Sequence, residues 1–145
     1  MTVKLSKMIA RDGEGATKLI ECNVRGARSL KMARGVAKAV IKSSLVKAAM
    51  FGSDANWGRV LCAIGYSGEP VDVNKIDVEF RSVKGTLSVC ENGSGVPFDE
   101  DFAKQVLSRD EVEINVDLKM GAYRASAWGC DLTYDYVKIN GDYRT

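Results

Sequence analysis

Val112-Glu113-Ile114-Asn115-Val116-Asp117-Leu118, then the turn at Met120-Gly121, then Ala127-Trp128-Gly129-Cys130-Asp131-Leu132-Thr133, carries the pattern on which the fold turns. In the first run apolar residues alternate strictly with polar ones, the period of a strand with one buried face. The second run places Trp128, Cys130 and Leu132 on one side and Gly129, Asp131 and Thr133 on the other, a half-buried strand. The turn between them makes the two a hairpin. At Thr133, a good N-cap, the strand phase breaks, and Tyr136, Val137 and Ile139 suit a short helical turn. That turn would leave Asn140, Gly141 and Thr145 at an exposed corner, where polar side chains and a terminal carboxylate can meet a ligand.

Working outward, Ile76, Val78 and Phe80 alternate with Asp77, Glu79 and Arg81, and Leu87 and Val89 alternate after the turn at Lys84-Gly85. Thr17 to Arg25 is a further strand, with Ile20, Cys22 and Val24 on one face and Glu21, Asn23 and Arg25 on the other. From Ser29 the period changes: Leu30, Ala33, Val36, Ala37, Val40 and Ile41 line one side of a helix. Lys31, Arg34, Lys38 and Lys42 form its opposite, solvated face. Ser44 to Phe51 is an apolar run that fits strand or helix, and it is assigned to a short strand or irregular core segment. Gly52 to Arg59 is a turn feeding a helix with Asp54 as N-cap and Val60, Leu61 and Ile64 facing inward. A helix near Pro97 buries Phe98, Phe102, Val106 and Leu107, and Asp99, Glu100 and Asp101 suit the positive end of its dipole. The sum is an α+β fold: an antiparallel β-sheet with about three helices packed mainly on one face. Residues 1–145 are expected to form a single domain, with 1–10 as the tail of an upstream element.

Composition narrows the function classes. Lys and Arg number 21 against 19 Asp and Glu, a net charge of +2, too small to argue for nucleic acid or an anionic membrane. Hydrophobic residues make up 46% and charged residues 28%, as in ordinary globular domains. No apolar run approaches the roughly eighteen residues of a membrane span. A cytoplasmic location is expected. Cys22, Cys62, Cys90 and Cys130 are scattered with no C-x-x-C pair, so small buried thiols are expected and no metal site. The chain has no histidine, which removes any Ser-His or Cys-His nucleophile pair within it.

The turn Arg11-Asp12-Gly13-Glu14-Gly15-Ala16-Thr17-Lys18 has two readings. The glycines flanking Glu14 let the backbone turn sharply. Glu14 is then either exposed on a plain turn or a carboxylate held out to pair with a substrate ammonium. The Asp54-Ala55-Asn56-Trp57-Gly58-Arg59 stretch can bind an anion at a helix N-terminus or brace the turn, and it is assigned to structure.

Asp12 through Lys18, Phe51 through Arg59 and Ala127 through Thr145, in this order, closely resemble the C-terminal part of the glutamate N-acetyltransferase / ornithine acetyltransferase family of arginine biosynthesis. The resemblance implies a precursor that cleaves itself at an Ala-Thr bond into two chains, which stay together and usually pair as a heterotetramer. The freed threonine takes acetyl from N-acetylornithine and passes it to glutamate, and some members accept acetyl-CoA as donor. No cofactor is implied. A threonine whose own α-amine is the base needs no histidine, and an oxyanion hole from the other chain would stabilise the tetrahedral intermediate.

By the same resemblance, the substrate contacts of this region fall on Glu14, Asn140 and Thr145. Glu14 would receive the substrate ammonium, and the Asn140 amide and Thr145 hydroxyl both donate and accept, as an amino-acid head group requires. The family's cleavage segment reads Ala-Thr-Met-Leu and is expected upstream of this chain. Ala16-Thr17 is instead followed by Lys18-Leu19 and opens a strand, so Thr17 is not the expected nucleophile. No catalytic residue is expected here; the partners are the alpha chain and the N-terminal part of the beta chain. The alternative of a different class is a free-standing, non-catalytic amino-acid-binding or interaction domain of the same fold.

Overall fold

A computed structural model describes residues 18–131. The expected elements appear where periodicity is strong. Strand β1 (Leu19–Ala27) buries Ile20, Cys22 and Val24 and turns Glu21, Asn23 and Arg25 to the other face. Helix α1 (Leu30–Lys42) starts at Ser29, whose Oγ accepts the Met32 N–H at 3.1 Å, and it buries Met32, Ala33, Val36, Ala37 and Val40 along one stripe. Helix α3 (Trp57–Gly65) buries Val60, Ala63 and Ile64. A short 3₁₀ turn at Val73–Lys75 precedes β2 (Asp77–Ser82), β3 (Gly85–Glu91) and the two-residue β4 (Ser94–Gly95). Helix α4 (Glu100–Leu107) is capped by Asp99 and buries Ala103, Val106 and Leu107. Strands β5 (Glu111–Asp117) and β6 (Tyr123–Cys130) follow.

Two local expectations are corrected. Ser44–Phe51 is helix α2, not strand or irregular chain. Its buried residues Val46, Ala49 and Met50 fall at helical spacing, and the Ser43 Oγ caps it by accepting the Val46 N–H at 3.2 Å. A short apolar run is ambiguous by period alone, and the cap decides it. Helix α3 is capped by Asn56 rather than Asp54: the Asn56 Oδ1 accepts the Arg59 N–H at 3.1 Å, and Asp54 accepts from the Asn56 amide at 3.3 Å.

The fold is α+β, with four α-helices among the described residues and a six-stranded sheet in the order β4-β3-β2-β5-β1-β6. Every pairing is antiparallel except β1 with β5, which runs parallel from Leu19↔Glu111 to Arg25↔Asp117. The expected β5–β6 hairpin is therefore opened by β1, which lies between the two. Strands two places apart are separated by about 10 Å, a gap that Leu118 to Ala122 bridges over the end of β1. Any side chain at Gly121 would run into the Ala27 backbone, so this crossing needs glycine. Helix α1 packs across β1 and β6, and α4 packs against β2 and β3. Their buried side chains join those of the strands in one core, with Phe80, Ile20, Met50, Ile64 and Leu118 among its largest members.

The faces of β6 are the reverse of the size rule. Ala125 and Ala127 pack on the core, while Trp128 lies on the open face, its Nε1 donating to the Glu21 Oε1 at 2.5 Å. The reason is the closeness of α1: a Cβ at Gly129 would stand 2.5 Å from the Ile41 Cγ2. Only small residues fit under that helix. Gly129→Ala is expected to destabilise the protein by about 1–3 kcal/mol, less when measured in an Ile41→Ala background; denaturant unfolding of the four-member cycle checks this, and equal costs in both backgrounds would contradict it.

Candidate functional site

Glu14, Thr17, Asn140 and Thr145, and the turn expected at Thr133, lie outside the described residues. What the structure describes is the place from which both segments depart. Leu19 pairs with Cys130 at the end of the β1–β6 ladder. One residue further, the Lys18 N–H donates to the Asp131 Oδ1 at 2.9 Å, and the Asp131 N–H donates to the Lys18 carbonyl at 3.2 Å. The chain arriving from Glu14 and the chain leaving toward Asn140 are thus neighbours, about 5 Å apart as adjacent strands are.

Both residues at this junction are buried: Lys18 is 9% exposed and Asp131 1%. The Lys18 ammonium points inward, donating to the Met50 carbonyl at 2.5 Å and the Ser53 Oγ at 2.9 Å. The Met50 carbonyl closes α2, where helix carbonyls carry partial negative charge. Ser53 holds a left-handed backbone (φ 52°), and its hydroxyl reaches the Leu107 carbonyl at 3.4 Å at the end of α4. Burial pushes the Lys18 pKa below the ordinary lysine value of 10.5, against the opposing pull of Asp131.

On the sheet face opposite the described helices, Asn23, Arg25, Asp77, Glu79, Arg81, Glu113, Asn115 and Ser126 line an open groove of about 700 Å³. Its polar groups answer one another. The Asn23 amide faces Glu21 (3.0 Å), Glu113 (3.1 Å) and Asn115 (2.9 Å), and the Ser126 hydroxyl donates to the Asn23 Oδ1 at 2.6 Å. Ion pairs join Arg25 to Asp117, Arg81 to Glu113 and Lys119 to Asp77. The groove reads as a bracing lattice across four strands. No cluster suited to a metal ion occurs among the described residues, and no helix among them is long and apolar enough to cross a membrane.

Asp54, Asn56, Trp57 and Arg59 have structural contacts: the cap described above, the Trp57 ring over Gly95, and an Arg59 hydrogen bond to the Leu45 carbonyl at 3.1 Å. Of the cysteines, Cys22 and Cys90 are buried as expected, whereas Cys62 is exposed and Cys130 is half-buried. Burial, reinforced by the Glu21 carboxylate, drives the Cys22 thiol far above its usual range, which leaves it inert.

Sequence reasoning missed Lys18, Ser53 and Asp131. Period two puts Asp131 on the same side as Gly129, and only the helix lying over Gly129 shows that this side is the buried one. Lys18 and Asp131 are 113 residues apart, and no local pattern announces their pairing.

The model of the ArgJ family matches residues 1–145. The chain is 59% identical over 141 residues to the arginine biosynthesis bifunctional protein ArgJ of Caldanaerobacter subterraneus, covering 97% of this chain and 35% of that protein. It is 51% identical over 142 residues to the glutamate N-acetyltransferase of Methanopyrus kandleri, covering 98% of this chain and 36% of that protein. The crystal structure of ArgJ from Bacillus halodurans superposes with a TM-score of 0.90 at 48% identity, over 97% of this chain and 64% of that one. The chain spans about a third of the length of the curated relatives it matches.

Alkaline unfolding tests the junction. Between the lowered pKa of Lys18 and 10.5, the unfolded chain keeps a proton that the folded one releases, so this group's contribution to stability rises with pH. The stability of the wild type minus that of Lys18→Met is expected to climb as pH approaches 10.5; a flat or falling difference in urea titrations would refute it.

Proposed function

The chain belongs to the ArgJ family, and from that premise we propose that it is the C-terminal, substrate-binding part of an acetyltransferase of arginine biosynthesis. The enzyme moves an acetyl group to glutamate from N-acetylornithine, or from acetyl-CoA. Its reactive threonine and oxyanion hole belong to the remainder of the enzyme, the alpha chain and the N-terminal part of the beta chain, with which this part assembles in the cytoplasm as a heterotetramer. No cofactor takes part.

The observation that supports this reading is the Lys18–Asp131 junction. Glu14 stands four residues before Lys18, and Asn140 nine residues after Asp131. At about 3.3–3.6 Å per residue, chain lengths of four and nine residues from adjacent strand ends are long enough to bring both side chains to one small amino-acid ligand. Glu14 pairs with the substrate ammonium, a charge-assisted contact. Asn140 and Thr145 hydrogen-bond the α-amino-acid head group, whose donors and acceptors they match. All three hold the substrate still and make or break no bond, a contribution through orientation. The absence of histidine from the chain is compatible with this division of labour, because a threonine attacking with its own α-amine as base requires none.

Two measurements check the proposal. Acetyl transfer from N-acetylornithine to glutamate should be undetectable with this chain alone and appear when the remainder of the enzyme is supplied; transfer by the isolated chain, abolished by Thr17→Ala, would overturn the assignment. In the complete enzyme, Glu14→Gln should raise the KM for N-acetylornithine about tenfold or more while kcat changes much less, since it removes binding shared by ground and transition states. A large fall in kcat at unchanged KM would contradict the positioning role.

A further inference from the structure

We propose that Lys18 is a positioning residue for substrate binding: with Ser53 and Asp131 it holds at a set spacing the two strand ends from which the chain continues toward Glu14 on one side and toward Asn140 and Thr145 on the other, an inference that rests on the reading above. The end of the β1–β6 ladder is the place where such spacing is decided. Strand ends ordinarily fray, because the last pairs lack a neighbour beyond them. Here the last pair is locked instead. The Lys18 N–H and carbonyl both bond to Asp131, one to its side chain and one to its backbone. A slip of β6 by one residue would turn Asp131 to the other face and break the first of these bonds.

The ammonium adds what the ladder cannot. It ties the strand end to the Met50 carbonyl of α2 and to Ser53, whose hydroxyl continues to the Leu107 carbonyl of α4. Lys18 thus joins the ends of β1 and β6 through its backbone, α2 through its ammonium, and α4 only by way of Ser53. Burying an ammonium is expensive compared with burying a methionine of similar length. Ser53 also keeps a left-handed backbone that a serine rarely adopts. Such strain and buried charge persist where the surrounding structure over-determines them, commonly beside functional sites. What the cation supplies and an apolar side chain cannot is direction: it selects two specific acceptors and so sets where the strand end lies relative to both helices.

The test uses the full-length enzyme that contains this chain, with KM for N-acetylornithine and for glutamate, kcat and Tm measured on each variant. Lys18→Met should raise both KM values about tenfold with kcat within about threefold, the pattern of lost uniform binding. Lys18→Arg should recover part of the loss, because a guanidinium keeps a cation near the same acceptors. Ser53→Ala, which leaves the ammonium its Met50 carbonyl, should raise both KM values about threefold with Tm shifted by no more than about 2 °C. If Lys18→Met does not fold, Ser53→Ala decides: unchanged KM values overturn the inference. A fall in Tm or kcat with unchanged KM, in any of these variants, reduces Lys18 to a structural brace and overturns it as well. Glu14→Gln separates the two levels of the argument. Raised KM there, with none in the Lys18 and Ser53 variants, defeats this inference alone; unchanged KM there defeats the functional reading with it.

Discussion

Strand β1 is hydrogen-bonded on both sides to strands that follow one another in the chain, parallel to β5 and antiparallel to β6. Everything else in the described fold accommodates that insertion. The two later strands arrive more than eighty residues after β1 and take places on either side of it, so one half of the sheet is assembled from the two ends of the described chain. A connection as short as Leu118 to Ala122 can step over β1 only by pressing its backbone onto Ala27, which is where a glycine stands. Loop closure over such a sequence distance costs entropy before it returns contacts. The return here is a face of Ile20, Cys22, Val24, Val112, Ile114 and Val116 sealed from water.

The same insertion dictates how the helices lie. Because β6 is added at the edge beside β1, α1 must cover both strands, and it does so at a distance that excludes any side chain from position 129. Large residues of β6 are then forced to the opposite face. Trp128 finds Glu21 there, and Ser126 finds Asn23, so the open face is bound together by hydrogen bonds while the helix face is bound by packing. Each face of the sheet is held by a different kind of interaction, and neither could exchange its residues with the other.

At the end of the ladder the chain accepts the cost of a buried lysine. The Lys18 cation is answered by a helix-terminal carbonyl and a hydroxyl, and the buried Asp131 carboxylate accepts the Lys18 backbone N–H. The cluster joins the terminal part of the sheet to the ends of two helices.

Residues alone determined the elements with long, regular periods: β1, α1, β2, β3, α4, β5 and β6 follow from alternation or from 3–4 spacing, because each such pattern needs only its own neighbours to state which side is apolar. The words around Glu14, Asn56 and Asn140 carried the family likeness, since turn and cap chemistry is also local. Tertiary structure alone decided the rest. Whether Ser44–Phe51 is helix depended on Ser43 and on a core that wants Val46, Ala49 and Met50 on one side. That β1 divides β5 from β6, that glycine and alanine rather than tryptophan face α1, and that Lys18 is buried against Met50 and Ser53 are matters of partner choice. A period of two names a strand's faces but not its neighbours, and a hydrogen bond spanning more than a hundred residues leaves no mark on the sequence near either end.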